Sequence, residues 1–291
     1  MGRSRLPRRQ RVAAYAVIIR DGQILLSRLA ARVSRRELWT LPGGGVDHGE
    51  DPRLAVVREV QEETGLDAVV SRQAYVYSRH IPRTNLGERS DYHAVRLVFE
   101  GWVPVDAPEP HVVEVDGTTV EAAWHALADV AEGTVPVTEL VTEALVDHEP
   151  FRMQRVAAYA LVRRDDAVLL TRISERGFHS GSWTLPGGGI DHGERPADAL
   201  VREVEEECGV VCRPGGLLDV HDTRFAGTAP TGRHEDFHGI HLIFAAEVPD
   251  DAEPRVVEVD GTTDGVAWIP LADIESGAVP VLDVVHHALA H

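Results

Sequence analysis

One stretch of this chain occurs twice, and it limits the fold more than any other feature. Pro42–Leu66 reads PGGGVDHGEDPRLAVVREVQEETGL, and Pro186–Val210 reads PGGGIDHGERPADALVREVEEECGV, an offset of 144 residues. From Arg11 to Leu66, 32 of 56 positions are identical to the residue 144 further on, without a gap. Such self-similarity marks an internal duplication of a whole domain. The match loosens afterwards and tightens again at Val112–Thr119, which recurs as Val256–Thr263, with Trp124 answering Trp268. The expected organisation is a basic tail over 1–10, a first domain over 11–147, a linker over 148–154 containing Pro150, and a second domain over 155–291.

Within each copy, periodicity predicts strand, hairpin, strand, glycine loop, helix, several strands and a closing helix. Val12–Ile19 is β-branched and apolar, Asp21-Gly22 is a turn signal, and Ile24–Ser27 returns as a second strand. Tyr75–His80, Tyr92–Glu100 and Ala122–His125 read as further strands, and Thr138–Val146 as the closing helix. Strands mixed with two helices imply an α/β domain, a mixed sheet with helices on both faces.

The helix after the glycine loop carries the chemical argument. Leu54, Val57 and Val60, with Ala55 nearby, recur at three-residue steps and predict an apolar stripe. Glu59, Glu62 and Glu63 fall at i, i+3 and i+4 and share one side. Like charges at that spacing cost roughly 0.2–0.5 kcal/mol per pair. Glu62 and Glu63 also sit in the last turn before Gly65, where the helix dipole opposes negative charge by roughly 0.3–1 kcal/mol per group. Glu203, Glu206 and Glu207 repeat the arrangement, before Gly209. Two unfavourable acidic clusters at the same spacing imply a cation, and all-oxygen ligands suit Mg²⁺ or Mn²⁺ better than zinc.

Charge excludes other functions. A net charge of −18 opposes nucleic-acid binding through the body of the protein. It permits a small phosphorylated ligand if divalent ions bridge the like charges. No apolar run is long enough to span a bilayer, so no membrane partner is expected. The two cysteines, Cys208 and Cys212, fit a reducing cytoplasm and make a poor zinc signal.

The motif, Gly44 to Glu50 to Arg58-Glu59-Val60-Gln61-Glu62-Glu63-Thr64-Gly65-Leu66, resembles the signature of the Nudix hydrolases. So does the second copy, from Gly188 through Glu194 to Arg202–Val210. No defining position departs from the pattern in either. The resemblance implies two α/β/α sandwich domains, Mg²⁺ or Mn²⁺, and pyrophosphatase cleavage of a diphosphate linkage in a nucleoside diphosphate derivative or nucleoside triphosphate. It implies metal ligation by Glu59, Glu62, Glu63 and the Gly43 carbonyl, and by Glu203, Glu206, Glu207 and the Gly187 carbonyl. Arg58 and Arg202 resemble the family's structural arginine, orienting the glutamates with help from Glu50 and Glu194. The proton acceptor is either the Arg-Glu residue or an acid of a later loop, with Glu114, Asp116, Glu258 and Asp260 as candidates; Asp116-Gly117 also reads as a plain turn.

Other assignments stay open between two readings. Arg28 and Arg172 end a strand, where each either clamps phosphate or forms a surface ion pair. Arg11 and Arg155 open the first strand, where contact with a phosphate or ribose is the less favoured of two readings. Tyr15 and Tyr159 either stack a base or fill the core, the latter favoured. His48 and His192 are expected to face solvent, and a substrate role for His93 or His238 is the weaker reading. Substrate choice is assigned to the variable loops Ile81–Ser90 and Phe225–Glu235. The fold also serves as a nucleotide-binding sensor, which usually comes with eroded glutamates or an attached DNA-binding helix pair, neither seen here. Two fused copies suggest an internal pseudo-dimer.

Overall fold

The computed structural model describes residues 6–84, 90–177, 179–229, 231–257 and 261–291, with backbone alone at 82–84. It divides into two compact units, Met1–Phe151 with Gly227–Glu235, and Arg152–Ala226 with Asp236–His291.

The first unit is built on β1 (Arg8–Arg20), β2 (Gln23–Leu29), β3 (Trp39–Thr40), β4 (Gly43–Gly45), β5 (Val69–Thr84), β6 (Ser90–Trp102) and β7 (Thr119–Ala126). Its helices are α1 (Pro52–Thr64), α2 (Leu127–Glu132) and α3 (Glu139–Asp147). The strands join in the order β3-β2-β1-β6-β5, with β4 on β1 and β7 on β2. β1 runs parallel to β6 and antiparallel to β2 and β4, so the sheet is mixed.

Alternation along β1 explains the layers. Ala14, Ala16 and Ile18 face a core with Ala55, Val56 and Val60 of α1. Val17 and Ile19 face a second core with Leu140, Val141 and Ala144 of α3. Successive side chains of a strand point to opposite faces, so one strand floors both cores and each helix takes one face.

The second copy repeats the order of elements, but among the described residues its strands form two four-stranded sheets in place of one seven-stranded sheet. Its strands are β8 (Phe151–Leu161), β9 (Arg163–Arg164), β10 (Ala167–Ile173), β11 (Trp183–Thr184), β12 (Gly187–Gly189), β13 (Arg213–Thr228), β14 (His234–Glu247) and β15 (Thr263–Pro270). Its helices are α4 (Pro196–Cys208), α5 (Leu271–Glu275) and α6 (Asp283–Leu289). Ala158 and Ala160 pack with Ala199, Leu200 and Val204 of α4, whereas Leu161 packs with Val284, Val285 and Ala288 of α6. Among the described residues no helix is long and apolar enough to cross a membrane.

Three details differ from the sequence reading. Leu54 is 66% exposed, and the buried face of α1 is instead Ala55, Val56, Val60, Glu63 and Thr64. The three-residue spacing misplaced the stripe because a carboxylate, Glu63, occupies the middle of the buried face. Arg8–Gln10 are not tail but strand, paired with Asp91–His93 of β6. Backbone pairing there outweighs the polar side chains, which remain exposed. The short helices α2 and α5 carry too few residues to show a period.

Trp39 of the second core meets the ring of His125 at 4.2 Å, edge to face. His125 Nε2 is buried without a hydrogen-bond partner among the described residues, and burial pushes its pKa below the usual 6.5. A lowered folded-state pKa means the unfolded chain takes up the proton first, so this group's contribution is lost as pH falls below about 6.5. The second copy has Ile269 at this position. His125→Ile is therefore expected to make the fall in melting temperature between neutral and mildly acidic pH shallower. An unchanged slope would assign acid sensitivity elsewhere.

Candidate active site

Each glycine loop meets its helix through hydrogen bonds that the sequence order alone does not display. Helix α1 starts at Asp51, whose side chain accepts from the Arg53 N–H, with Pro52 in the first turn, and stops at Gly65 with φ 69°. α4 stops the same way at Gly209, φ 66°. That registration turns Glu59 and Glu63 inward, against the loop.

Arg58 is the hub. Its Nε and Nη2 donate to the two oxygens of Glu50 at 3.0 and 3.1 Å. Nη1 donates to Glu59 Oε1 at 3.0 Å and Glu62 Oε2 at 3.1 Å, and Nη2 also to the Gly45 carbonyl at 3.2 Å. Arg202 repeats every contact, to Glu194 at 2.9 and 2.8 Å, Glu203 at 2.8 Å, Glu206 at 3.3 Å and the Gly189 carbonyl at 3.0 Å. One guanidinium thus offsets part of the repulsion expected among the glutamates, engaging one oxygen of Glu59 and one of Glu62. The Arg58 fork holds Glu50 below the usual carboxylate range, and the Arg202 fork lowers Glu194 to about 2. Burial raises Glu59 and Glu203, against the pull of their arginines.

Glu63 has a different environment. It is 3% exposed, accepts from the Gly43 N–H at 3.0 Å and from the Thr119 hydroxyl at 2.5 Å. Burial pushes its pKa up to about 7, although both hydrogen bonds favour the charged form. Glu207 accepts likewise from the Gly187 N–H at 3.0 Å and the Thr263 hydroxyl at 2.7 Å. These carboxylates tie loop and helix to the start of β7 in the first copy and of β15 in the second. The threonines were not foreseen, although the repeated Gly-Thr-Thr at 117–119 and 261–263 was visible.

The glycines are required by close approach. Gly43 has φ 142°, and a Cβ there would overlap the Ala14 carbonyl and lie 2.6 Å from Tyr15 Cα. A Cβ on Gly44 would lie 2.5 Å from Glu59 Cδ, and one on Gly188 2.6 Å from Glu203 Cδ. The loop backbone therefore passes directly over the carboxylates. Carboxylate oxygens with one position each left by arginine, beside a side-chain-free backbone, fit a hard divalent cation.

Other expected residues divide. Arg155 lines a cavity of about 550 Å³ with Tyr159, Glu203, Glu207 and His241. Arg11 lies against Gly45 as Arg155 does against Gly189. Arg28 and Arg172 stay outside the clusters, in ion pairs with Glu121 at 2.7 Å and Asp264 at 2.8 Å. Glu114 joins the first site: its N–H donates to the Glu62 carbonyl at 2.9 Å, and its charge helps raise Glu59. Asp116 has φ 60° and its carbonyl accepts from Arg32, the geometry of a turn. Glu258 and Asp260 lie outside the described residues, as do 85–89 of the first variable loop. His48 and His192 are exposed. His93 bonds Ser78 at 2.8 Å and Gln10 at 3.2 Å, and His238 bonds Gln154 at 3.0 Å. Tyr159 both packs on the core and faces the cavity, its ring 5.1 Å from His241.

Comparison with known proteins finds the same unit twice. The family model described as NUDIX domain matches residues 9–144 and again 153–288. Nucleoside triphosphatase NudI of Escherichia coli O139:H28 is 32% identical over 127 residues, 42% of this chain and 85% of that protein. NudI of Shigella sonnei aligns with the same figures. Among solved structures, the MutT NUDIX hydrolase from Burkholderia pseudomallei is 32% identical, covering 47% of this chain and 97% of that one, with a TM-score of 0.39. A NUDIX hydrolase from Nitrosomonas europaea is 23% identical, covering 47% and 87%, with a TM-score of 0.38.

Proposed function

Because both halves of this chain belong to the NUDIX family of hydrolases, we propose that each half carries its own metal-dependent site, cleaving a diphosphate linkage in a nucleoside triphosphate. The reading is carried by the duplicated Arg–Glu hub, which keeps every contact in both copies. A site released from its chemistry would have no reason to retain buried carboxylates that cost folding energy. The triphosphate rests on the likeness to proteins named nucleoside triphosphatase.

Glu59, Glu62, Glu63 and the Gly43 carbonyl would hold Mg²⁺ or Mn²⁺ in the first copy, and Glu203, Glu206, Glu207 and the Gly187 carbonyl in the second. When bound, such ions neutralise phosphate charge and lower the pKa of water. The protein's own part is orientation and proton transfer. Arg58 and Arg202 aim the glutamates, while Glu63 and Glu207 hold the loop backbone still. Glu59 and Glu203, which face Gly44 and Gly188 and whose pKa values are raised by burial, would accept the proton of the attacking water. In the second copy Arg155, which lines the same cavity as Glu203 and Glu207, would meet a phosphate oxygen there.

The test is hydrolysis of a panel of nucleoside triphosphates and diphosphate derivatives by the full chain, with release of phosphate and pyrophosphate measured. Turnover is expected with Mg²⁺ or Mn²⁺, to vanish on chelation with EDTA, and to return on adding either ion. Turnover that survives chelation, or none on any nucleotide, refutes the proposal.

A further inference from the structure

The second copy holds a group of side chains for which the proposed hydrolysis has no use. Asp219 of β13 faces His287 in the last turn of α6 and His291 just beyond it. The Nε2 atoms of both histidines lie 2.9 Å from the same oxygen, Asp219 Oδ2. The three candidate donor atoms all fall within 4.8 Å of one another. His287 and His291 are four residues apart, with the intervening cap residue Ala290 still in the right-handed helical region, and their rings are 5.6 Å apart.

We propose that Asp219, His287 and His291 form a zinc-class metal site, separate from the glutamate clusters, which pins α6 to β13. Two imidazoles and one carboxylate are donors for Zn²⁺ and its borderline neighbours, whereas Mg²⁺ prefers oxygen alone. Three protein ligands leave a position for water, and the partial exposure of Asp219 and His287 gives an ion access.

Comparison of the copies shows this is no general property of the fold. The positions 144 residues earlier are Tyr75, Glu143 and Asp147. There Glu143 accepts from Arg96 Nη2 at 3.3 Å and Asp147 from the Tyr77 hydroxyl at 2.7 Å. The first copy closes its helix onto the sheet with acid–arginine and acid–tyrosine bonds and offers no imidazole. The second replaced both helical acids by histidines and supplied an acid from the strand. The site also borders the cavity: the ring of His221, which lines it, is 5.1 Å from His287.

The experiment uses the full chain, stripped with chelator and held in excess Mg²⁺ so that hard-ion sites are occupied, then titrated calorimetrically with Zn²⁺. One equivalent per chain is expected, with a rise in melting temperature. His287→Ala and His291→Ala should each weaken binding by roughly tenfold or more, since even losing a partner of a ligand costs that much. His192→Ala, an exposed histidine elsewhere, should leave it unchanged. His291 is exposed, so its removal leaves the fold intact, which circular dichroism verifies. Co²⁺ in place of Zn²⁺ should give visible absorption that the two variants lose. No Mg²⁺-resistant binding by the parent, or the same Zn²⁺ isotherm in the double variant, overturns the proposal.

Discussion

Glu62→Gln combined with Glu206→Gln is expected to abolish nucleotide hydrolysis, while either change alone leaves turnover by the other copy. Each glutamine keeps the size and one oxygen of the original and removes the charge. The nearest interaction survives in form, since Arg58 Nη1 donates at 3.1 Å to Glu62 Oε2 and an amide oxygen still accepts, though more weakly without the charge. Folding should therefore hold while cation binding fails, which a melting curve without added ions separates from activity. Loss of an electrostatic stabiliser of developing charge costs about 10²–10³-fold per site, so the double variant should fall at least that far. If either single variant is already inactive, the copies do not work independently.

Gly43→Ala should be the most damaging single change in the first glycine loop. Its φ of 142° lies where side chains are strained, and the new Cβ would meet the backbone of Ala14 and Tyr15, which cannot swing aside. Strain of about 1–3 kcal/mol then adds to the pairing lost between β4 and β1, for a cost of about 3 kcal/mol or more in that unit. Gly49→Ala provides the contrast: φ is 83°, yet nothing lies within 4 Å. It should cost only the left-handed penalty, about 1–2 kcal/mol. Denaturant unfolding of both variants checks the difference. In the Glu206→Gln background, where only the first copy works, Gly43→Ala should also remove the remaining turnover. Equal stability for the two alanine variants would show that the loop has room the geometry denies.

Much of this architecture was legible because duplication prints each signal twice. Strand and helix order, the carboxylate trio, the arginine beside it and the stop at Gly65 all follow from period, charge and spacing. Which carboxylate faces where did not follow. Helical spacing places Glu59, Glu62 and Glu63 on one side, but only packing decides that this side is largely the buried one, leaving Leu54 in solvent. Arg28 illustrates a second limit: a strand-end arginine looks the same in sequence whether it meets phosphate or Glu121, and the choice depends on the register of β2 against β7. Thr119 and Thr263 were hidden because a hydroxyl's role depends on a partner 56 residues away. His287 and His291 carried no signal in the sequence, because their partner Asp219 stands 68 residues before His287, on β13.

The arginine hub has one further consequence. A guanidinium does not give up its proton at any pH a cell reaches, and here carboxylates raise its proton affinity further. The scaffold that aims the acids is thus insensitive to acidity, and its ordering cost is met when the chain folds rather than when a ligand arrives. Whatever pH response turnover shows must then report the acids, the solvent or the substrate, never the clamp between them.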